Sequence, residues 1–230
     1  GKSWIERALF PFMHARPFVA DGAVYVLGHD SDLCVIRSDD EGETWSEPAK
    51  LTEDQFWHQS ACNVHYANGK VYLVMERRVH FDHQGWPVSE MAPVLMGGRV
   101  DADLTQKENW NFASELVFRD LEEKQNLLGV PFWPADQTDG NGGRLMNPPG
   151  WLETNVVQFT DPDHVWHDPE GRTFHLWMRA HTGGTGLACI ARVEERADGS
   201  METMLERAPS GETMLYAACP GGQMRFHILQ

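Results

Sequence analysis

Arginine and aspartate recur at one position of a repeated pattern. Asp30, Arg77 and Arg179 each lie eight residues after a glycine that belongs to a turn signal. A guanidinium group binds a carboxylate through two parallel N–H bonds, and an aspartate can transfer a proton. The pattern therefore marks Asp30, Arg77 with its neighbour Arg78, and Arg179 as candidate site residues. The alternative for each arginine is a salt bridge at the surface or between structural units.

Histidine supplies a second candidate chemistry. The chain has 11 histidines, several of them beside the predicted turns. Imidazole exchanges a proton near neutral pH, and an arginine can neutralise a uronate carboxylate, which together are the requirements of β-elimination. Residues 57–83, WHQSACNVHYANGKVYLVMERRVHFDH, contain the groups for such a site, with His58 and His80 as candidate catalytic residues. Histidines that pack between strands or face solvent are the structural alternative.

Metal and cofactor sites are less well supported. The pairs His80 and His83, and His164 and His167, have the spacing H-x-x-H, but neither lies in a predicted helix or has an obvious acidic third ligand. The glycine-rich run RAHTGGTG lacks the lysine and the following helix of a phosphate-binding loop. The four cysteines are far apart, and small buried side chains are expected in place of a disulfide framework. The sequence therefore predicts no metal and no cofactor.

Four segments share a glycine turn followed by a short alternating apolar run. Their glycines are separated by 47, 102 and 51 residues, so one unit is about 50 residues long and the middle interval contains an insertion. Asp-Gly, Asn-Gly and Gly-Gly between apolar runs indicate tight hairpins, because such turns need positive φ angles. The four segments are VADGAVYVLGHD (19–30), YANGKVYLVMER (66–77), HDPEGRTFHLWMR (167–179) and CPGGQMRFHILQ (219–230).

A second element is repeated around tryptophan, as GKSWIERAL, GETWSEPAKL and, more loosely, ENWNFASEL. Each tryptophan is predicted to begin an outer strand. A period of 40–50 residues with about four short strands per unit is typical of a β-propeller, in which each unit is one blade. The predicted fold class is all-β, a partial β-propeller with about three complete blades and pieces of two more.

Helical signals are weak, and only residues 120–128, DLEEKQNLL, could form a helical turn or two. Residues 129–150, rich in Pro, Gly and Asn, have the composition of a long irregular loop. The chain is therefore predicted to be a single domain over 1–230 with a loop insertion at 120–150.

Residues 38–45, SDDEGETW, fit the pattern S-x-D-x-G-x-T-W at every fixed position. Through this motif the chain resembles the sialidase-like propellers, in which such an Asp-box forms the turn between the two outer strands of a blade. The aspartate closes the turn by bonding to the backbone, the glycine supplies a positive φ, and the tryptophan packs between blades. The resemblance implies about six blades, with both ends of this chain cut within a blade, and a secreted or periplasmic location.

The resemblance also implies catalytic residues. Sialidases bind the substrate carboxylate with an arginine cluster, and use an aspartate acid/base and a tyrosine nucleophile paired with glutamate. Arg16 in HARPFVADGAVYV resembles the arginine of the family's RIP motif, although Pro17 and Phe18 stand where that motif has Ile and Pro. Asp30 is by position the candidate acid/base, and Arg179, with Arg77 or Arg78, would complete the carboxylate clamp. The tyrosine nucleophile is expected in a missing C-terminal part.

Charge and composition limit the partners. The formal charge of −15 argues against nucleic acid, because no basic stretch could neutralise phosphates. No apolar run approaches the ~18 residues of a membrane span. The leading hypothesis is a sialidase-like exo-glycosidase acting on acidic oligosaccharides or polysaccharides. A propeller lyase that cleaves beside a uronic acid and a non-catalytic glycan-binding propeller are the alternatives.

Overall fold

The computed structural model describes residues 2–58, 62–121, 149–181, 186–220 and 225–229. Almost all regular structure in these ranges is β-strand, interrupted by three 3₁₀ turns at Val88–Glu90, Lys107–Asn109 and Phe118–Asp120. The all-β prediction is confirmed. The strands are β1 (Met13–Ala20), β2 (Ala23–Asp30), β3 (Asp32–Ser38), β4 (Ala49–Lys50), β5 (Trp57–His58), β6 (His65–Ala67), β7 (Lys70–Arg78), β8 (Met91–Arg99), β9 (Trp110–Phe112), β10 (Gly150–Val157), β11 (Thr173–His181), β12 (Leu187–Glu195), β13 (Met201–Met204), β14 (Glu206–Arg207), β15 (Thr213–Met214) and β16 (Tyr216–Ala218).

Among the described residues, three antiparallel sheets follow one another along the chain, and each contains a four-stranded meander. Blade 1 has the order β1-β2-β3-β4, and blade 3 has β10-β11-β12-β13 with β16 also paired to β12. Blade 2 has the order β5-β7-β8-β9, with β6 also paired to β7. A small ribbon of β14 and β15 follows blade 3. Sequential four-stranded meanders are the blades of a propeller, so the described residues contain three of them.

Two apolar layers lie between the blades. One layer joins blade 1 to blade 2 and includes Leu27 of β2 and Leu73 of β7. The other joins blade 2 to blade 3 and includes Val74 of β7 and Leu176 of β11. Neighbouring residues of a strand point to opposite faces, so β7 supplies both layers with alternate side chains.

The turn 39–48 connects β3 to β4 and is closed by the Asp40 carboxylate. This carboxylate accepts bonds from the backbone N–H of Thr44 (2.8 Å) and from its hydroxyl (2.6 Å). The hydroxyl and N–H of Thr44, with the Ser38 hydroxyl, lower the pKa of Asp40 to about 2. Gly42 has a φ of 90°, and its carbonyl accepts a 3.1 Å bond from the Trp45 indole. The motif at 38–45 therefore acts as a local turn structure.

The hairpin glycines are found where the repeat predicts turns. Gly22 and Gly69 lie between paired strands, and Gly171 ends the turn before β11, all three with positive φ. The two glycines of the fourth segment, Gly221 and Gly222, lie outside the described residues, and the segment 225–229 that follows them forms no strand. Its backbone is bound by an amide side chain, that of Asn155, instead of by a neighbouring strand.

The tryptophan prediction is correct at one position. Trp110 begins β9, but Trp45 precedes β4 by four residues because its indole is held in the turn. Trp4 lies outside any strand and is 91% exposed. Most of the predicted insertion, 122–148, lies outside the described residues, and Phe118–Asp120 just before it forms a 3₁₀ turn.

Candidate functional site

The first strands of blades 1 and 3 contain the same bulge. In β1 two residues, 14 and 15, lie opposite one residue of β2, because the register shifts between Met13 and Arg16. In β10 residues 153 and 154 lie opposite one residue of β11, because the register shifts between Leu152 and Asn155. The first bulged residue has a left-handed backbone in both cases, with φ 55° at His14 and 60° at Glu153. Bulges re-aim side chains, and strained positions of this kind concentrate at functional sites.

Three histidines meet beside the first of these bulges. The ring centroids of His14 and His29 are 5.1 Å apart, and that of His58 lies 4.8 Å from His14 and 6.0 Å from His29. A hydrogen bond of 2.8 Å joins Nδ1 of His14 to Nε2 of His29. Burial, followed by the charges of His14 and His58, lowers the pKa of His29 to about 4, while Asp30 opposes the shift. His29 is therefore neutral at pH 7.

Glu76 of β7 is fully buried beside these histidines. Its Oε1 accepts bonds from the N–H (3.1 Å) and the hydroxyl (2.9 Å) of Thr154. Its Oε2 makes no hydrogen bond within the described residues and lies 4.0 Å from Nδ1 of His58. Strand pairing fixes this arrangement, since His58 lies directly opposite Glu76 in the register of β5 and β7.

Glu153 brings a second carboxylate to the same place. It precedes Thr154, the residue that binds Glu76, and is 6% exposed. Its carboxylate pairs with the Arg179 guanidinium, with Nε 2.9 Å from Oε2 and Nη2 3.2 Å from Oε1. Arg225 lies 3.7 Å from Oε1, and its side chain is 59% exposed. Two carboxylates from neighbouring blades thus share a site with two guanidinium groups.

Arg16 and Cys62 form the buried floor beside Glu76. Arg16 is 1% exposed and donates a 3.0 Å bond from Nη1 to the Val74 carbonyl. Burial lowers the pKa of its guanidinium, although nearby Cys62 and Glu76 oppose this shift. Burial, followed by the Glu76 charge, raises the pKa of the Cys62 thiol to about 12, so the thiol keeps its proton.

The loop 79–87 places an aromatic ring at the edge of the histidines. The Trp86 ring meets that of His58 edge to face, with centroids 5.5 Å apart. Buried Glu90 fixes the loop, because it accepts two bonds from the Arg78 guanidinium (2.7 and 2.9 Å) and one from the N–H of His83 (2.8 Å). We name His14, His29, His58, Glu76, Glu153, Arg179 and Arg225 the three-blade cluster.

Only two of the residues predicted from sequence belong to the three-blade cluster. His58 and Arg179 lie in it, and Arg16 lies directly beneath it. His80 instead bonds Asp120 at 2.9 Å, outside the cluster. Asp30 is exposed and makes no hydrogen bond or ion pair with any of the predicted arginines in the described part of the chain.

The remaining predicted arginines are paired within the chain. Arg77 forms an ion pair with Glu115. Arg78 binds Glu90 and lies over the ring of Phe81 at 4.8 Å. The structure therefore does not bring Arg77, Arg78 and Arg179 together around Asp30, because each guanidinium is held by a carboxylate of its own blade.

The other five members of the cluster are not among the residues predicted from sequence: His14, His29, Glu76, Glu153 and Arg225. The available signal was a charged residue inside an apolar strand, as in YLVMER and GWLETNVV. Arg225 gives no comparable signal, because its segment, CPGGQMRFHILQ, fits the pattern of a hairpin strand. Neither bulge has a glycine or another recognisable sequence feature at its bulged residues, so the sequence does not predict the bulges.

Within the described ranges, no group of three or more His, Cys, Asp or Glu side chains has the geometry of a metal site. All four cysteines are free, and Cys34, Cys62 and Cys189 are buried, in agreement with their predicted role as small buried side chains. No helix among the described residues is long and apolar enough to cross a membrane.

The fold and the cluster define a bladed all-β protein with a buried site rich in carboxylates and histidines. No family model and no curated protein matches the chain. Several solved structures are similar in fold. One is a family-43 glycoside hydrolase engineered to display both endo-xylanase and exo-arabinofuranosidase activity, at 13% identity and a TM-score of 0.47, covering 91% of this chain and 31% of that chain.

Two further structures show the same level of similarity. An exo-1,5-α-L-arabinanase from a bovine ruminal metagenomic library is 14% identical with a TM-score of 0.40, covering 90% of this chain and 61% of that chain. A mutant of the NanB sialidase from Streptococcus pneumoniae is 12% identical with a TM-score of 0.36, covering 74% of this chain and 20% of that chain. The chain thus spans between a fifth and about three fifths of the length of these three proteins. With TM-scores below 0.5, the fold assignment rests on the strand order described above.

Proposed function

We propose that this chain carries part of the active site of a carbohydrate-active enzyme that hydrolyses acidic glycans, of the sialidase-like exo-glycosidase type. The observation that carries the proposal is the pair of buried carboxylates, Glu76 and Glu153, from neighbouring blades. Thr154 connects them, since it follows Glu153 and binds Glu76 through two hydrogen bonds. Glycoside hydrolases commonly work with two carboxyl groups at one sugar ring, one as acid or base and the other as nucleophile or base.

Positive charge at this site favours an acidic sugar. Arg225 lies against Glu153 with much of its side chain exposed, and can approach a substrate carboxylate from the solvent side. Arg179 holds the same carboxylate through a two-point ion pair and is therefore already engaged. A guanidinium that is largely exposed can bind a further carboxylate, so Arg225 favours an acidic sugar over a neutral sugar.

The test combines a substrate panel with carboxylate variants. The chain is incubated with sialosides and uronate polysaccharides, while released sugar and the near-ultraviolet absorbance of unsaturated products are followed together. Release of sugar by the wild type, and its loss in Glu76→Gln and Glu153→Gln, is the expected result. Glu195→Gln is the matched control, because Glu195 is a buried carboxylate bonded by Lys70 and Tyr72, outside the cluster.

Two outcomes would overturn the assignment. If Glu76→Gln and Glu153→Gln kept full activity while Asp30→Asn lost it, the exposed aspartate predicted from sequence would be the acid/base. If no glycan were cleaved and yet one bound, with chemical-shift changes at the cluster, the chain would be a glycan-binding module.

A lyase acting beside a uronic acid is the second candidate, and the histidines favour it. His14, His29 and His58 lie beside Glu76, and the Arg225 charge is close enough to lower the pKa of His14. A neutral imidazole next to a guanidinium could remove the proton adjacent to a bound carboxylate. Rising absorbance of an unsaturated uronate, lost in His58→Ala, would establish this reaction over hydrolysis.

A further inference from the structure

We propose that His14 is the general base of the three-blade cluster and that His29 is the positioning residue that sets its tautomer. The reaction in which His14 would act rests on the proposed function. The tautomer itself is a property of the chain and can be measured without a substrate.

His14 has a backbone conformation that the packing of β1 alone does not require. His14 has a φ of 55° at the first position of its bulge, a conformation in which non-glycine residues are strained. The equivalent residue of β10, Glu153, has the same strained conformation and belongs to the carboxylate pair. The same kind of bulge therefore holds a histidine in one blade and a glutamate in another. Its repetition indicates that both side chains are placed for a common purpose.

The hydrogen bond to His29 leaves one nitrogen of His14 available. Nδ1 of His14 is engaged with Nε2 of His29 at 2.8 Å, and one of these nitrogens must carry the proton while the other accepts it. Nε2 of His14 makes no hydrogen bond within the described residues, and the side chain is half-buried. If Nδ1 donates to His29, then Nε2 of His14 carries a lone pair and faces accessible space. A base oriented by a second group through its other nitrogen is the arrangement of known catalytic histidines.

The surroundings favour the unprotonated form of His14. It is faced by His29 from β2, His58 from β5, Glu76 from β7 and Arg225 from the segment 225–229. Burial is the largest influence, and with the charges of His58 and Arg225 it lowers the pKa of His14 against the opposing charge of Glu76. An unprotonated imidazole can accept a proton, so these groups favour a base over an acid.

The step balances for hydrolysis. Nε2 of His14 takes a proton from a water molecule while the oxygen of that water bonds to the anomeric carbon. The glycosidic C–O bond breaks, its electron pair goes to the leaving oxygen, and a carboxyl group of the cluster in its acid form gives that oxygen a proton. The imidazolium then returns a proton to that carboxylate, which restores both groups.

Activity measurements test the base. His14→Gly removes the imidazole and keeps a residue that accepts the positive φ. Its turnover is expected to fall by about 100-fold or more and to recover partly on addition of free imidazole. His14→Asn, which also tolerates this backbone, is expected to be as slow and not to be rescued. His80→Ala, a histidine outside the cluster, serves as control and keeps the wild-type rate. Full activity in His14→Gly beside an active wild type would overturn this inference and leave the proposed function standing.

Spectroscopy of the histidine rings tests the tautomer without any substrate. Long-range ¹H–¹⁵N correlation spectra of the wild type at pH 7.5 are expected to show His14 with a proton on Nδ1 and none on Nε2. His29→Leu should give a mixture of both tautomers, and His29→Gln should restore the wild-type pattern because its side-chain oxygen can accept the same bond. A proton on Nε2 of His14 in the wild type would refute the base assignment, even if no glycan were cleaved and the proposed function failed separately.

Discussion

Glu76 combines complete burial with a hydrogen-bond set that covers only one of its two oxygens. Oε1 is bound twice by Thr154, while Oε2 faces Nδ1 of His58 at 4.0 Å, beyond hydrogen-bond distance. A buried polar atom without a partner costs about 1–3 kcal/mol, so a protein retains one where it serves some purpose. The half-bound carboxylate is thus better explained by chemistry at Oε2 than by stability.

Glu76→Gln separates these two explanations. The amide keeps an oxygen for Thr154 and removes a buried charge, so the free energy of unfolding is expected to change by less than about 1 kcal/mol. Turnover of the acidic glycan is expected to fall by about 100-fold or more. Urea unfolding and initial rates on the same preparation measure the two effects. A loss of stability in proportion to the loss of rate would make Glu76 a structural residue.

The pKa of His29 predicts how stability depends on pH. Its value of about 4 in the folded chain lies below the ordinary 6.5, so between these values only the unfolded chain binds the proton. Stability contributed by neutral His29 is therefore complete above pH 6.5 and is lost as the pH falls towards 4, by an amount on the order of 2 kcal/mol. Urea unfolding at several pH values measures it. His29→Gln should flatten this part of the profile, and an unchanged slope would count against the assignment.

At the scale of the element, the bulge in β1 depends on a glycine in the neighbouring strand. A Cβ on Gly28 of β2 would lie 2.3 Å from a ring carbon of Phe12 and 2.6 Å from the carbonyl oxygen of Met13. The second contact is with backbone, so the segment that leads into the bulge would have to move.

Gly28→Ala is therefore expected to destabilise the chain by about 2–4 kcal/mol and to displace His14. Gly22→Ala is the comparison, because a Cβ there meets nothing within 4 Å and the cost comes only from its φ of 75°. About 1 kcal/mol is expected for that variant. Urea denaturation of both variants gives the comparison, and equal losses would show that Gly28 is not required by the bulge.

Side-chain amides connect β10 to the chain segments on either side of it. The Asn63 side chain is 4% exposed and bonds both backbone groups of Val156 in β10, donating to the carbonyl (2.6 Å) and accepting from the N–H (2.9 Å). Asn155 binds the segment 225–229 in the same manner, through the Phe226 carbonyl and the N–H of Ile228. These bonds replace the strand pairing that blades lack at their inner edges.

Replacing Asn63 by Ala would leave the N–H and the carbonyl of Val156 buried without partners. A loss of about 2–4 kcal/mol is expected, with Asn63→Asp at least as harmful because its carboxylate would face the carbonyl. The control is Asn68→Gly, which removes one exposed bond to the Gly171 carbonyl, keeps a residue that accepts the φ of 53° and should cost less than about 1 kcal/mol. Thermal unfolding of the three variants measures the difference. Similar losses for Asn63→Ala and Asn68→Gly would remove the special role of Asn63.

The sequence predicted the elements better than it predicted the site. Hairpins at Gly22 and Gly69, and the turn that holds Asp40, follow from local rules, because each depends on residues close together in the chain. The cluster depends on which strands of different blades become neighbours and on bulges that reverse the expected alternation. The position eight residues after a hairpin glycine therefore selects Arg179, which lies in the cluster, and also Asp30, which does not.

At the scale of the whole molecule, blade 2 is shared between two apolar layers. Leu73 and Met75 of β7 face blade 1, whereas Tyr72 and Val74 face blade 3. The three-blade cluster also depends on blade 2, because Glu76 of blade 2 lies between His14 of blade 1 and Thr154 of blade 3. A change in the position of blade 2 would therefore alter both the packing and the site.

This sharing predicts that the three blades unfold together. Leu73→Ala should cost about 3 kcal/mol and Val74→Ala about 2 kcal/mol, although the two side chains point into different layers. In native-state hydrogen exchange, either variant is expected to lower protection in β2 and in β11 by the same free energy, because one cooperative transition exposes both strands. Val19→Ala, at a position 53% exposed on β1, is the control and should change neither. If Leu73→Ala lowered protection in β2 alone and Val74→Ala lowered it in β11 alone, the blades would unfold as independent units. The cluster would then span blades that do not stabilise one another.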